Sequence, residues 1–156
     1  MPKRKLPYTE GDWIAVPLPQ GGWAAGIIAR VQAGHILLGY FFGVAFQQIP
    51  GVDEVSNFTP SQAILIRRFG DLGIRQQRWK IIGRSEVWDR QLWPMTAFVH
   101  YDLVNGRPYK REYSDRGGGI FVKETACDEM TAKPLPEDGL WGARALEIRL
   151  GKALSG

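Results

Sequence analysis

Short apolar runs separated by turn residues open the chain and predict an antiparallel meander. Three runs of strand length carry this pattern, at residues 13–16, 23–31 and 35–42. The sequence Pro-Gln-Gly-Gly at 19–22 predicts a tight turn between the first two, since proline presets φ and glycine accepts positive φ without steric cost. Gly34 marks the second turn. Gly26 and Gly39 lie inside predicted strands, where glycine is typical of a bulge, a sharp bend or a close backbone approach.

The same alternation of apolar runs and turns continues to about residue 122. Further strands are predicted at 64–69, 79–83, 95–102, 108–113 and 120–122. Asn105-Gly106 is a strong hairpin signal between two of them. Residues 123–137 have the composition of a polar connector. The spacing of these elements predicts short strands joined by tight turns.

The end of the chain changes to helical spacing. From about Asp138 to Leu154 the apolar residues fall on one side of a helical wheel, which predicts a helix. Strict alternation at 146–150 is the competing strand interpretation. The whole pattern predicts a mainly β (α+β) fold: a single curved antiparallel sheet of about six to nine strands, or a small partly open barrel, with a C-terminal helix.

Length and composition limit the organisation and the location of the protein. With 156 residues, the chain fits a basic N-terminal tail (1–7) and a single domain (8–156). No apolar stretch approaches the ~20 residues of a membrane span, and no apolar segment follows the basic start to form a signal peptide. The lone cysteine, Cys127, cannot form an internal disulfide. We therefore expect a cytoplasmic protein that does not contact membranes.

Residues that could carry catalysis or bind metal are scattered. His35 and His100 lie within strand patterns, and Cys127 has no zinc-ligand spacing around it. The glycines at 117–119 are not followed by the Gly-Lys-Ser/Thr of a phosphate-binding loop, so they fit a hairpin tip. The sequence predicts no catalytic residue, no metal site and no cofactor, so an enzyme is not expected.

Two surfaces are candidates for binding a protein partner. Trp88 and Trp93 lie in a predicted loop, where exposed aromatics would anchor a protein partner. An acidic segment on this basic protein could face a basic partner, although a solvated connector is the more ordinary interpretation of such a segment. Its carboxylates are Glu124, Asp128, Glu129, Glu137 and Asp138.

Charge leaves a nucleic-acid alternative open. The chain has a net charge of +4, which permits nucleic-acid contact without establishing it. Tyr109, Arg111 and Tyr113 share one face of a predicted strand beside Lys110. Aromatic rings and guanidinium groups can stack on bases, but ordinary cross-strand packing would place the same residues there.

Several segments, in order and spacing, resemble the immunity protein 26 family of bacterial polymorphic-toxin systems. They span most of residues 8–154 and include Gly11-Asp12-Trp13-Ile14-Ala15-Val16-Pro17-Leu18, Gly21-Gly22-Trp23, Gly39-Tyr40-Phe41-Phe42, Arg68-Phe69-Gly70-Asp71-Leu72-Gly73-Ile74, Trp79-Lys80-Ile81-Ile82-Gly83, Trp93-Pro94, Gly139-Leu140-Trp141-Gly142 and Glu147-Ile148-Arg149-Leu150.

The resemblance implies a small cytoplasmic protein that binds and neutralises a cognate toxin domain, without cofactor or catalysis. The alternative is a basic small-barrel module that binds nucleic acid or a nucleoprotein. An immunity protein directed at a basic nuclease would usefully be acidic, whereas this chain is basic overall. Either the toxin is not a basic nuclease, or a local patch recognises it. The sequence leaves monomer and dimer equally open.

Overall fold

The computed structural model describes residues 5–115 and 121–155. Within these residues the strands are β1 Asp12–Pro17, β2 Trp23–Gln32, β3 Ile36–Phe46, β4 Ala63–Gly70, β5 Lys80–Arg84, β6 Phe98–Tyr101, β7 Pro108–Tyr113, β8 Phe121–Ala126 and β9 Leu140–Trp141. The helices are α1 Val52–Val55, α2 Leu72–Arg75, α3 Glu129–Ala132 and α4 Ala143–Leu154, with 3-10 turns at Pro60–Gln62 and Arg90–Leu92.

The strands form two sheets. The large sheet has the order β5-β1-β2-β3-β4-β9 and the small sheet the order β6-β7-β8. All pairs are antiparallel except the parallel β4–β9 pair at one edge. The predicted mainly β fold with a C-terminal helix is confirmed, and the structure adds that the strands divide between two sheets.

One segment, residues 136–141, hydrogen-bonds to both sheets in turn. Val99 of β6 donates its amide to the Pro136 carbonyl, and the Asp138 amide donates to the Val99 carbonyl, both at 2.8 Å. Two residues later β9 begins, and it pairs with Arg68 and Phe69 of β4. This segment therefore joins the edge of the small sheet to the edge of the large one.

The predicted meander at the start of the chain is confirmed as β1, β2 and β3. Gly26 of β2 faces Phe41 so closely that a Cβ there would lie 2.7 Å from the ring. A Cβ on Gly39 of β3 would lie 2.7 Å from the Phe69 ring. The pairing of β2 with β3 shifts register next to Gly26 and near Ile28. Both glycines thus mark close approaches of aromatic rings to the sheet, as their position in the pattern predicts.

Both faces of the large sheet are covered, which explains its nearly continuous apolar strands. One face packs against α2 and α4, and its core contains Ile14, Ile28, Phe41, Phe69, Trp79, Leu146 and Leu150. The other packs against the small sheet and the loop before it, and its core contains Trp13, Ile27, Tyr40, Phe42, Trp93 and Phe98. Arg30, buried in β2, also connects the two sheets. Its Nε donates to Oδ1 of Asp115, which lies two residues after β7, at 2.6 Å.

The second half departs from the pattern in two places. The helix begins at Ala143 instead of near residue 138, because Leu140 and Trp141 pair with the free edge of β4 before the helix starts. Residues 123–137 are not a plain connector, since they contain the end of β8 and all of α3. The predicted hairpin tip at 117–119, the start of the strand predicted at 120–122 and part of the basic tail fall outside the described residues. No helix in the described part of the chain is long and apolar enough to cross a membrane.

Candidate protein-binding surfaces

A cleft of about 320 Å³ opens between residues 56–60, which precede β4, and residues 85–93, which follow β5. We call it the aromatic cleft. Its apolar lining consists of Trp13, Ile27, Phe58, Pro60, Val87, Trp88, Leu92 and Trp93. Val87 is 84% exposed and Leu92 is 63% exposed, so they stand at the mouth. Large apolar side chains left in water around a concavity are typical of a binding site.

Packed aromatic rings hold the floor of the cleft in place. The Trp93 ring meets Trp13 edge-to-face, with centroids 5.8 Å apart and planes at 90°. It meets Tyr40 in the same way at 5.2 Å. The Trp13 indole donates from Nε1 to Ser85 Oγ at 2.9 Å. Trp93 is only 7% exposed, so it forms the floor and does not project as an exposed anchor.

Trp88 forms a half-buried wall of the cleft. Its ring lies over Gly11, where a Cβ would come within 2.9 Å of Trp88 Cγ. Gly11 has φ of +95°, a conformation that glycine adopts without strain. The Trp88 indole also donates to Glu10 Oε1 at 3.3 Å, and Arg90 Nε donates to the same oxygen at 2.8 Å. The loop before β1 therefore holds Trp88 in position.

An acidic groove adjoins the cleft and shares Ser56, Ser85 and Val87 with it. Asp53, Arg84 and Glu86 supply the charges along this groove, while Asp89 lines the cleft itself. Three carboxylates and one guanidinium thus surround the mouth, on a chain whose net charge is +4. The local charge has the opposite sign to the protein as a whole.

The predicted acidic segment divides into an exposed part and an internally paired part. Asp128 and Glu129 are exposed and line a shallow groove at the end of the small sheet. The Asp128 carboxylate caps α3 by accepting from the Thr131 amide at 2.8 Å, a hydrogen bond that lowers the pKa of Asp128. Glu129 accepts from the Tyr101 hydroxyl at 3.2 Å. These two carboxylates remain accessible to a partner.

The remaining acidic residues of the segment form ion pairs within the chain. Glu124 lies 3.4 Å from Arg111 Nε, and Glu137 lies 3.4 Å from Arg67 Nη1. The Asp138 side chain is only 2% exposed and lies 3.1 Å from Arg111 Nη1. The carboxylate of Asp138 is therefore enclosed by its own chain.

The predicted nucleic-acid face is largely engaged in contacts of its own. Tyr113 donates its hydroxyl to Asp138 at 2.6 Å, and its ring packs against Phe98. Burial, with a contribution from Asp138, raises the pKa of Tyr113 to about 12. Arg111 is paired as described above, and Lys110 Nζ lies 3.9 Å from a Glu112 oxygen. Tyr109 is half-buried on the same strand. Carboxylates thus accompany the cations of this face.

The candidate chemical residues lie apart from one another. His35 follows the second turn with φ of +61°, and its Nδ1 lies 3.2 Å from the buried Asp71 carboxylate. His100 is in β6, and Cys127 follows β8 as a partly buried free thiol. In residues 5–115 and 121–155, no three His, Cys, Asp or Glu side chains cluster in a way that could hold a metal ion.

Comparison with known proteins gives one match. The family described as Immunity protein 26 matches residues 9–109, which is more than half of the chain. No curated protein and no solved structure matches this chain. The matched region runs from the loop before β1 to the second residue of β7. It therefore contains both walls of the aromatic cleft and all of the acidic groove.

Proposed function

Since this chain belongs to the immunity protein 26 family, we propose that it binds a cognate toxin domain and neutralises it by covering its functional surface, without catalysis of its own. The family match carries this proposal. It names a protective role and contains the aromatic cleft within its boundaries. Occlusion needs a stable interface of ~800 Å² on each partner.

The aromatic cleft is the anchoring site in this proposal. Its floor is already packed in the free protein, so little conformational entropy is lost when a partner side chain enters. Val87 and Leu92 would pass from water into the interface, which favours binding in proportion to the apolar area that they bury. Interface energy concentrates in a few such positions. Trp88, as the wall of the cleft, then acts mainly by slowing dissociation.

Asp128 and Glu129 form a second contact region in the proposal. They are exposed and unpaired with basic side chains in the described part of the chain. Charges at the rim of an interface act mainly on the rate and orientation of association. Glu129→Lys, which spares the helix cap made by Asp128, should slow association at low salt more than it changes dissociation.

The test is co-expression with the candidate toxin domains that the genes adjacent to the gene for this chain encode. Wild-type protein should protect the cells and purify in a complex with the toxin domain. The double variant Val87→Asp/Leu92→Asp should fold normally and lose protection. Leu103→Asp is the matched control, since Leu103 is 98% exposed and does not line the cleft.

Two results would contradict the proposal. One is an absence of both protection and a complex, together with sub-micromolar, salt-dependent binding to nucleic acid, which would favour the basic-module alternative. The other contradicts only the choice of anchoring site: full protection by the Val87/Leu92 variant would place the interface elsewhere on the protein and leave toxin neutralisation standing.

A further inference from the structure

Two carboxylates are exceptional in how they are surrounded. Almost every Asp and Glu of the described chain has an ion pair or accepts a hydrogen bond. The two that have neither are Asp53 in α1 and Glu86 in the loop after β5. Both are exposed, and both line the acidic groove beside the aromatic cleft. Their charges are therefore available to a partner.

The two arginines close to this groove, Arg84 and Arg90, also interact with carboxylates outside it. Arg84 interacts electrostatically with Asp12. Arg90 is paired with Glu10 at 2.8 Å and with Asp115 at 3.4 Å. The charged residues that line the groove and the cleft are Asp53, Glu86, Asp89 and Arg84, with formal charges that sum to −2. They make the local field negative, even though the chain carries a net charge of +4. A low-dielectric apolar wall beside exposed charges concentrates such a field.

We infer that the partner segment that enters the aromatic cleft carries an apolar or aromatic side chain flanked by Lys or Arg. This rests on the proposed toxin-binding function and specifies the chemistry of the surface recognised. The apolar side chain meets Val87, Leu92 and the aromatic floor. The flanking cations meet Asp53 and Glu86, which lose no internal partner when they bind.

A local negative patch reconciles the basic net charge of the chain with a basic target. Long-range repulsion between two basic proteins is screened over roughly 8–10 Å at physiological salt. Close contacts at the interface therefore decide the interaction, and at this cleft they are attractive for a cationic segment. A local acidic patch on a basic protein can recognise a basic toxin surface.

The experiment uses the toxin domain from the co-expression test. It measures the rates at which this protein associates with that domain and dissociates from it, at several salt concentrations. Asp53→Asn/Glu86→Gln removes two negative charges without adding a clash. It should lower the association rate about 3- to 10-fold at low salt, and the difference from wild type should shrink as salt rises. The dissociation rate should change less than the association rate.

A matched control changes the net charge by the same amount at another place. Leu103→Lys/Val104→Lys adds two positive charges at the β6–β7 turn, where both side chains are almost fully exposed. The association rate of this variant should stay within about 2-fold of the wild-type rate. An equal reduction in both variants would mean that overall charge governs association, and would overturn the inference.

The remaining outcomes separate the inference from the function on which it rests. If the wild-type protein forms the complex and Asp53→Asn/Glu86→Gln associates at the wild-type rate at every salt concentration, the cationic-segment inference is wrong while the occlusion proposal stands. If wild-type protein forms no complex, the occlusion proposal fails and the inference fails with it.

Discussion

The Tyr113 hydroxyl of the small sheet donates a 2.6 Å hydrogen bond to Asp138, which lies two residues before β9. Arg111 donates to the same carboxylate oxygen at 3.1 Å. Arg68 of β4 lies 3.8 Å from the other oxygen, and its guanidinium stacks over the Tyr113 ring at 4.2 Å. One enclosed carboxylate therefore ties the small sheet to the edge of the large sheet.

Asp138→Ala should destabilise the protein by about 3–5 kcal/mol, because it leaves Arg111 and the Tyr113 hydroxyl without their shared acceptor in a largely buried place. Tyr113→Phe removes one hydrogen bond and should cost about 0.5–2 kcal/mol. Urea unfolding measures both free energies. Asp128→Ala is the comparison, since it removes an exposed helix cap worth ~1 kcal/mol. Equal losses at the two aspartates would contradict this account.

The free energy of unfolding should fall at alkaline pH, and Tyr113 should contribute to that fall. Burial and then Asp138 raise the pKa of Tyr113 from 10.0 to about 12 in the folded protein. The unfolded chain therefore loses this proton first, and the stabilisation present below pH 10 is lost as pH rises to about 12.

Burial shifts the pKa of Tyr40 upward in the same way, also to about 12. Tyr113→Phe should therefore retain a fall in stability above pH 10, but with a shallower slope than wild type, by roughly one proton. Unfolding free energies measured across that pH range give the slope. Identical slopes in the variant and in wild type would show that Tyr113 does not contribute.

Trp93 and Trp88, two of the three tryptophans that line the aromatic cleft, should affect stability and binding differently. Trp93→Ala removes a buried ring from the floor and should cost about 3–5 kcal/mol of folding free energy. Trp88→Ala should cost less, because that ring is only half-buried, while it raises the dissociation rate of the toxin complex. Chemical denaturation and dissociation kinetics on both variants test this. A Trp88 variant with unchanged dissociation would exclude it as an anchor.

Gly39 tests the close packing of β3. Gly39→Ala places a methyl group 2.7 Å from the Phe69 ring and 2.9 Å from Phe41, so it should destabilise the protein by about 1–3 kcal/mol through overpacking. Gly70→Ala is the matched control in the neighbouring strand, since a Cβ there meets nothing within 4 Å. The difference between the two melting temperatures measures the effect. A Gly39 variant as stable as the Gly70 variant would mean that the rings move aside freely.

The sequence indicates the aromatic residues of the candidate site but not the acidic groove beside them. Trp88 and Trp93 stand out because large aromatics in a loop are unusual, and both line the cleft. Val87 and Leu92 flank them and could have been noticed as apolar residues in a polar loop. Asp53 gave no signal, because it lies more than thirty positions away from Glu86 along the chain. Only the folded chain brings residues 52–60 beside residues 85–93.

The sequence by itself determined the local elements of this protein. Apolar runs separated by Gly34 and by the turn at 19–22 specify the meander, since alternation and turn conformations depend on neighbouring residues. The tertiary structure decided how the strands divide into two sheets and where the last helix begins. Leu140 and Trp141 pair with β4 because its edge offers unpaired backbone groups. Asp138 has a structural role because Arg68, Arg111 and Tyr113 surround its carboxylate. Those partners come from distant positions, so only the packed fold places them around one carboxylate.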